Sequence, residues 1–368
     1  MKSHRPKVLF IAPFPPPVHG AAMVSLQMKQ SKLINDSFDV CYINCSTSSS
    51  IEQIGRFSII KIIRFFCALL ETFSHLILHN YDLCYLAITC HGSGFLKDAP
   101  FVLLCKLFRR KIIIHHHNKG MSSDVDRWPY RLLLPLVYRN VRVVILSWRL
   151  YSDIERVVAK EQVAVCPNGI TDASHLVVND NHSIPRLLFL SNMLISKGVF
   201  VLLDALHILS KTGIRFKCRF VGAETKEIDA TRFKQEVADR DLEDFVEYLG
   251  QMVGEEKYEV ISSSDVFLFP TTNECFGLVL LEAMQFSLPI VATDEGGIPD
   301  IVQNGVTGLI CRKNDPGAFA ECIKKLLEDP KMRRQMGENG RSRFHSHYTE
   351  DIFLSRMHKI WTESTCRL

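Results

Sequence analysis

Two trains of short, continuously apolar runs constrain this chain more than any other feature. "KVLFIAP", "DVCYIN", "DLCYLAI", "KIIIHHH", "VRVVILS" and "VAVCPN" recur through the first half, with segments of helical length between them. A run that is apolar at every position, not at every second one, has both faces covered. That is the signature of a parallel sheet in a βαβ series. After Asn168-Gly169-Ile170, the polar interval "DASHLVVNDNHSIP" reads as a linker. The series then restarts with "RLLFLSN", "FKCRFVG", "VEYLG", "DVFLFP", "PIVATD" and "TGLICR". Two such series predict an α/β chain with two Rossmann-like, doubly wound domains facing a cleft. Ligands in such sheets sit beyond the carboxyl ends of the strands, so motifs there matter most.

Length agrees with this division. A chain of 368 residues exceeds one ordinary core and suits two domains of about 150–200 residues each. The opening "MKSHRPKVLFIAPFPPP" breaks at proline after a short apolar run, and is expected to be a buried strand rather than a signal peptide. No stretch reaches the roughly 18 uncharged apolar residues that span a bilayer. Twelve cysteines are scattered without a CxxC pair, which suggests reduced core thiols and a cytoplasmic location.

Charge is divided unevenly. Residues 1–170 hold 21 lysines and arginines against 11 aspartates and glutamates, while the remainder holds 23 against 29. The basic half suits an anionic partner or surface; uneven decoration of two domains is the plainer alternative. Within that half, "RFSIIKIIRFFCALLETFSHLILH", Arg56 to His79, is unusually apolar and is interrupted by Lys61 and Arg64. Two readings stay open: a buried helix of the first domain, or one lying in a membrane interface or lining an acceptor groove.

The chemistry concentrates in "NECFGLVLLEAM", Asn273 to Met284. "DVFLFP" is a strand, "TTNECFG" the loop after it, and "LVLLEAM" the start of a helix. A helix N-terminus exposes unpaired N–H groups and partial positive charge, which favours phosphate. Gly277 lets the backbone approach a ligand closely, so the amides of Gly277, Leu278 and Val279 are candidates for a diphosphate. Glu274 can accept hydrogen bonds from hydroxyls on one side of it, and Glu282 on the other. A sugar and a ribose flanking a diphosphate fit that layout. Lys197-Gly198 in "LISKGVFVLLDAL" sits at a second strand-to-helix turn, where an ammonium can neutralise a diphosphate leaving group. A third glycine turn, "TDEGGIPDIVQNGVTGLI", is expected to close the pocket.

These residues resemble the retaining glycosyltransferases of family 4, also called glycosyl transferases group 1, which have the GT-B fold. The resemblance runs from "PNGI" through "SKGV", "FVGAE", "LGQM" and "DVFLFPTTNECFGLVLLEAM" to "GGIPDIVQNGVTGLI", nearly all of the second half. It implies a donor domain at 184–345 and an acceptor domain at 1–170, the latter joined by a C-terminal helix at 346–368. Glu274 is then the carboxylate on the donor sugar's hydroxyls, Glu282 the ribose ligand and Lys197 the diphosphate ligand. Phe276 and Gly222 belong to the same donor site, and backbone groups from Gln251 through Met252 to Val253 hold the base. In the first half, "PPPVHGAA" resembles the family's glycine loop, with Gly20 at its end. "IIIHHHNKG" resembles the strand-end histidine near the reacting carbon, which is His117, with His115 the alternate. The sequence departs from the family at Asn192, where an arginine is usual, and at His19-Gly20, where paired glycines are usual. Both departures concern diphosphate affinity more than reaction type.

The implied activity is transfer of a hexose or N-acetylhexosamine, with retention and without a metal, from a UDP-sugar or a GDP-sugar. No other cofactor is implied. The acceptor would be a glycan or lipid-linked glycan in bacterial surface-polysaccharide assembly, such as lipopolysaccharide. Peripheral contact with an anionic membrane at the inner face is expected, and no nucleic-acid partner. An inactive transferase homologue serving as a binding subunit is the alternative. The Asp124-Val125-Asp126 and Asp239-Arg240-Asp241 triplets would suit a metal-dependent rival, but neither ends a strand. A dehydrogenase is disfavoured because "PPPVHGAA" lacks G-x-G-x-x-G.

Overall fold

A computed structural model of the chain describes residues 5–47, 58–176 and 182–366. Two compact units divide it, Met1–Asn168 with Glu350–Leu368, and Gly169–Thr349.

The first unit opens with β1 (Lys7–Ala12), α1 (Gly20–Gln30), α2 (Lys32–Ser37), β2 (Asp39–Asn44) and α3 (Ile59–Leu78). It continues through β3 (Leu83–Ile88), α4 (Gly92–Leu107), β4 (Ile112–His116), α5 (Tyr130–Tyr138), β5 (Arg142–Ile145), α6 (Tyr151–Ile154) and β6 (Val163–Val165). The second unit contains β7 (Arg186–Leu190), α7 (Val199–Ser210), β8 (Lys217–Val221), α8 (Ala230–Ala238), β9 (Val246–Gly250) and α9 (Gly254–Ser262). Then come β10 (Val266–Phe269), α10 (Leu278–Gln285), β11 (Ile290–Thr293), α11 (Ile298–Ile301), β12 (Gly308–Cys311), α12 (Pro316–Glu328) and α13 (Pro330–His347). The C-terminal helix α14 (Glu350–Cys366) belongs to the first unit.

Each unit is one six-stranded parallel sheet, ordered β2-β1-β3-β4-β5-β6 in the first and β12-β11-β10-β7-β8-β9 in the second. The apolar runs become strands buried on both faces; all six residues of β3 are buried, as are all four of β10. The order reverses between β1 and β3 in the first sheet and between β7 and β10 in the second. Connections on the two sides of such a switch leave on opposite faces, so a crevice opens at the carboxyl ends of the strands there.

α14 covers one face of the first sheet. Its Phe353, Met357 and Trp361 pack with Val8, Phe10, Met28 and Phe38. Trp361 is fully buried, its ring 5.3 Å from those of Phe38 and Tyr85. Arg142 ties the helix down at Glu363, 2.8 Å away. The turn between α13 and α14 falls at Tyr348–Thr349, so residues 346–349 close the second unit. Asp172–Leu176, within the interval that reads as a linker, packs on the second unit through the Ala173 N–H, which donates to Gln285 Oε1 at 2.7 Å. Residues 177–181 of that interval lie outside the described residues.

α3 corrects the reading of a buried helix. It buries only the stripe Ala68, Thr72 and Leu76, with Phe65 and Leu69 packed beside it. The opposite stripe, Ile59, Ile63, Phe66, Leu70, Phe73 and Ile77, is between 41% and 69% exposed. Arg56 and Phe57, where the apolar segment begins, lie outside the described residues. Among the described residues no helix is long and apolar enough to cross a membrane.

Candidate functional site

Three loops meet at the switch point of the second sheet. The loop after β7 carries Asn192 and Lys197, the loop after β10 carries Glu274 and Phe276, and the loop after β11 carries Gly296 and Gly297. Their backbones interlock. Thr272 N–H donates to Ser196 O at 2.8 Å and Gly297 N–H to Cys275 O at 2.9 Å. Two glycines make this approach possible. A Cβ on Gly198, whose φ is +79°, would stand 2.1 Å from Pro270 O, and one on Gly296 would stand 2.1 Å from Glu274 O. Any side chain at either position would push these loops apart.

The interlocked loops place Lys197 Nζ 2.7 Å from Glu274 Oε2. The two side chains keep only 22% and 16% of their exposure. Glu274 is held from behind as well, since its Oε1 accepts the Cys275 N–H at 2.9 Å. The carboxylate is thus fixed by backbone, and the ammonium, on a flexible stem, is the partner free to turn.

α7 and α10 both start at this point. Each has a left-handed glycine as its N-cap, Gly198 or Gly277, and neither has a side-chain cap. By contrast Asp229, Asp315 and Asp329 cap α8, α12 and α13 with their carboxylates. The first amides of α10, at Leu278 and Val279, therefore start a helix that brings no oxygen of its own to them, an arrangement suited to an anion. Leu278 and Val279 follow Gly277 directly, and the buried Phe276 ring lies 6.3 Å from Tyr348.

Further along α10, Glu282 Oε1 accepts from Lys257 Nζ at 2.9 Å. Lys257 stands on α9, directly after the Gln251–Val253 turn in which Met252 is half-buried and Val253 is 69% exposed. Gly222, at the end of β8, donates its N–H to Gly250 O and accepts from the Tyr248 hydroxyl, so it forms the floor beside that turn. Asn192 is exposed, and its carbonyl accepts from Leu194 N–H at 2.8 Å.

Lys257 escaped sequence reasoning. In "GEEKYEV" it is one charge on a polar helix, and nothing local separates it from a solvated lysine. Its meaning comes from its bridge to Glu282 on α10, 25 residues away in sequence.

In the first unit the three histidines at the end of β4 point alternately. His115 and His116 are inside the strand and buried: a 2.6 Å bond joins Tyr85 Oη and His115 Nδ1, and one of 2.9 Å joins Tyr138 Oη and His116 Nε2. His117 follows the strand. Its ring is 4.1 Å from that of His115, and both its nitrogens are buried without a hydrogen-bond partner among the described residues. Burial, then His116, then His19 pull its pKa from 6.5 to about 3, and the imidazole is neutral at pH 7. His117 itself is half-buried, and two buried ring nitrogens without partners cost free energy unless something satisfies them. His115 Nδ1 already has Tyr85 and only its Nε2 lacks a partner, whereas both nitrogens of His117 are unpartnered among the described residues. Nearby, Gly20 is the first residue of α1, and His19 caps that helix through Nδ1, accepting the Ala22 N–H at 3.4 Å.

The aspartate triplets are occupied otherwise. Asp124 Oδ2 accepts the Gly92 N–H at the start of α4 and its Oδ1 pairs with Arg127, both within 2.8 Å, while Asp126 is held by Arg156. Asp239 and Asp241 follow α8, where Asp239 accepts from Gln235 and Asp241 lies 3.5 Å from Lys211.

Residues 175–343, within the second unit, match the family described as Glycosyl transferases group 1. Over nearly its full length the chain superposes on solved GT-B glycosyltransferases. The sucrose-phosphate synthase of Thermosynechococcus elongatus aligns with a TM-score of 0.75 over 98% of this chain and 99% of that one, at 19% identity. The fold is GT-B. Anabaena HepE, solved in complex with UDP-glucose, shares this GT-B fold with a TM-score of 0.73 over 97% and 99% of the two chains, at 17% identity. Among curated relatives, the capsular polysaccharide biosynthesis glycosyltransferase CapM of Staphylococcus aureus is 27% identical over 202 residues, 53% of this chain. The chain spans about half the length of that relative, 49%.

Proposed function

We propose that this GT-B chain is a retaining glycosyltransferase that takes a hexose or N-acetylhexosamine from a UDP-sugar, or from a GDP-sugar as the second choice, without a metal. The observation that carries the proposal is the pairing of Lys197 with Glu274 between the uncapped starts of α7 and α10. The pair supplies, at one crevice, a mobile cation for a diphosphate and a fixed carboxylate for sugar hydroxyls.

In this reading the diphosphate draws Lys197 away from Glu274, which then accepts from the sugar. The C1–O bond to the β-phosphate breaks and its electron pair stays on the phosphate. Lys197 and the amides of Leu278 and Val279 stabilise that developing charge, where such groups contribute most. The acceptor oxygen attacks C1 on the face the phosphate leaves, and its proton passes to the departing phosphate, so no enzyme nucleophile is needed. Glu282, released from Lys257, takes the ribose hydroxyls. His117, neutral throughout, donates one hydrogen bond near the reacting carbon. The acceptor is a glycan or a lipid-linked glycan, a place in surface-polysaccharide assembly that the CapM likeness supports.

The test is to incubate the purified chain with labelled UDP-glucose, UDP-N-acetylglucosamine and GDP-mannose, with and without EDTA, and to follow sugar release and nucleotide-induced thermal shifts. Hydrolysis or transfer with one donor, unaffected by EDTA, is expected. A ligand at a hundred times its Kd adds about 2.7 kcal/mol of stability, and Glu282→Ala should lose that shift. A shift with no turnover on any donor would instead favour the inactive binding homologue.

A further inference from the structure

All twelve cysteines are free thiols, and two pairs of them are hydrogen-bonded sulfur to sulfur. Cys84 of β3 and Cys105 of α4 form one pair and are fully buried. Cys311 and Cys322 form the other in the second unit, and both are half-buried, so solvent reaches them. The donor chemistry uses neither pair. Local structure explains how the second arises. β12 ends at Cys311, a four-residue turn follows, and α12 starts at Pro316 behind the Asp315 cap. Cys322 stands in the second turn of α12, and both thiol side chains pack against the core of this unit.

The two sulfurs are not equivalent. The hydrogen bond from Cys311 pulls the Cys322 thiol from 9.0 down to about 7, with burial opposing and Lys325 assisting. Lys325 is three residues further along α12, on the face that Cys322 occupies. The same hydrogen bond, then burial, pushes the Cys311 thiol up. At neutral pH Cys322 is thus the nucleophile and Cys311 the proton-bearing neighbour, the arrangement of an attacking and a resolving thiol. Cys311 is also joined to the donor loops. Its carbonyl accepts the Asp294 N–H at 3.0 Å. Lys313, two residues on, donates to Asp294 Oδ1 through its N–H at 3.3 Å and to Glu295 Oε2 through Nζ at 2.7 Å. Asp294 and Glu295 begin the loop whose Gly296 lies against Glu274 O and whose Gly297 N–H donates to Cys275 O. A disulfide would bring the two sulfurs to about 2 Å, nearer than any hydrogen-bonded contact, and a packed strand end passes such a shift to its neighbours.

We propose that Cys311 and Cys322 are an oxidation site, which a peroxide closes to a disulfide and which, once closed, weakens nucleotide binding at the donor loops. The Cys322 thiolate attacks one peroxide oxygen; the O–O bond breaks, hydroxide leaves and takes up the proton that Cys322 released, and a sulfenic acid remains. Cys311 then attacks that sulfur; the S–O bond breaks, the Cys311 proton leaves with the oxygen as water, and the S–S bond forms. The two sulfurs together lose two electrons, which the peroxide gains. Cys84 and Cys105 touch in the same way but are sealed from solvent, so they stay reduced. The consequence for nucleotide rests on the donor reading of these loops; the disulfide itself does not.

The experiment treats the reduced full chain with one equivalent of hydrogen peroxide, maps the linked and alkylated peptides by mass spectrometry, and titrates UDP before and after. A Cys311–Cys322 peptide is expected as the main product, reversed by dithiothreitol, with Cys84 and Cys105 alkylated only after denaturation. UDP affinity should fall at least three-fold on oxidation and return on reduction. Cys322→Ser should form no link and keep its UDP affinity through the treatment. Cys311→Ser should stop at a sulfenic acid on Cys322 that dimedone traps. In both variants the UDP affinity of the reduced chain, equal to that of the parent, checks folding. Oxidation of Cys67 or Cys366 ahead of this pair overturns the proposal, as does a sulfinic acid on Cys322 with no link. So does a link that leaves UDP affinity unchanged. If the reduced chain binds no UDP, the donor reading falls, while the peptide map still decides whether the pair is the oxidation site.

Discussion

Lys197 and Glu274 hold each other at 2.7 Å, so in the proposed reading part of what a diphosphate gains from the lysine is offset by parting the pair. The arrangement makes a specific kinetic claim. If Lys197 acts on charge that develops as the C1–O bond breaks, its loss must appear in the chemical step and not only in donor affinity. Lys197→Met is therefore expected to lower kcat by about 10²–10³-fold, the size seen when one preorganised donor is removed from a developing oxyanion, with a smaller rise in the donor KM. Steady-state kinetics separates the two; an increase in KM with kcat intact would reassign the lysine to ground-state binding. Sequence alone names the lysine and the glutamate, because each sits a fixed distance beyond a strand at a glycine turn. It cannot show that they pair, since 77 residues separate them and only the interlock of two loops brings them together.

At the scale of elements, β4 carries the least comfortable set of side chains in the first unit. Burial, with Asp153 opposing, lowers His116 to about 4, and burial with His116 and His19 lowers His117 to about 3. Burial, with the neighbouring His117 and His116, moves His115 in the same direction. All three are depressed in the folded state, so the unfolded chain takes up protons first. Stability is full above the unfolded pKa of about 6.5 and falls as pH drops toward 4 and then 3, by at most about 1.4 kcal/mol per pH unit for each histidine. Denaturant unfolding at pH 7, 6 and 5 should show this decline, and His117→Asn should flatten it. Stability that rises toward pH 5 would mean that the imidazoles gain protons on folding. The strands themselves are legible in the sequence because a parallel strand buried on two faces has no polar positions to confuse the pattern. α3 is not legible in the same way: it is apolar on the packed stripe and on the outer one, so periodicity cannot say which side faces the sheet. Lys257 is hidden for a related reason, as its partner Glu282 lies on another helix.

At the scale of the whole chain, the proposed function divides along the sequence. The second unit holds the family match and every proposed donor contact except His117 and Gly20. The first unit holds the basic excess, the outer face of α3 and the histidines. That division explains why the donor chemistry can be read from short motifs while the acceptor cannot. In the proposed reading a diphosphate is recognised by backbone amides at glycine turns, which leave a mark in sequence, whereas no comparable short motif marks an acceptor. The claim on which the account depends is that a leaving diphosphate is neutralised at the switch point of the second sheet. A crystal structure of the chain with UDP tests it most directly. The account predicts diphosphate oxygens on Lys197 Nζ and on the Leu278 and Val279 amides, Glu274 parted from Lys197, and ribose hydroxyls on Glu282. UDP ordered away from the carboxyl ends of β7 and β10, with Lys197 still on Glu274, would contradict it.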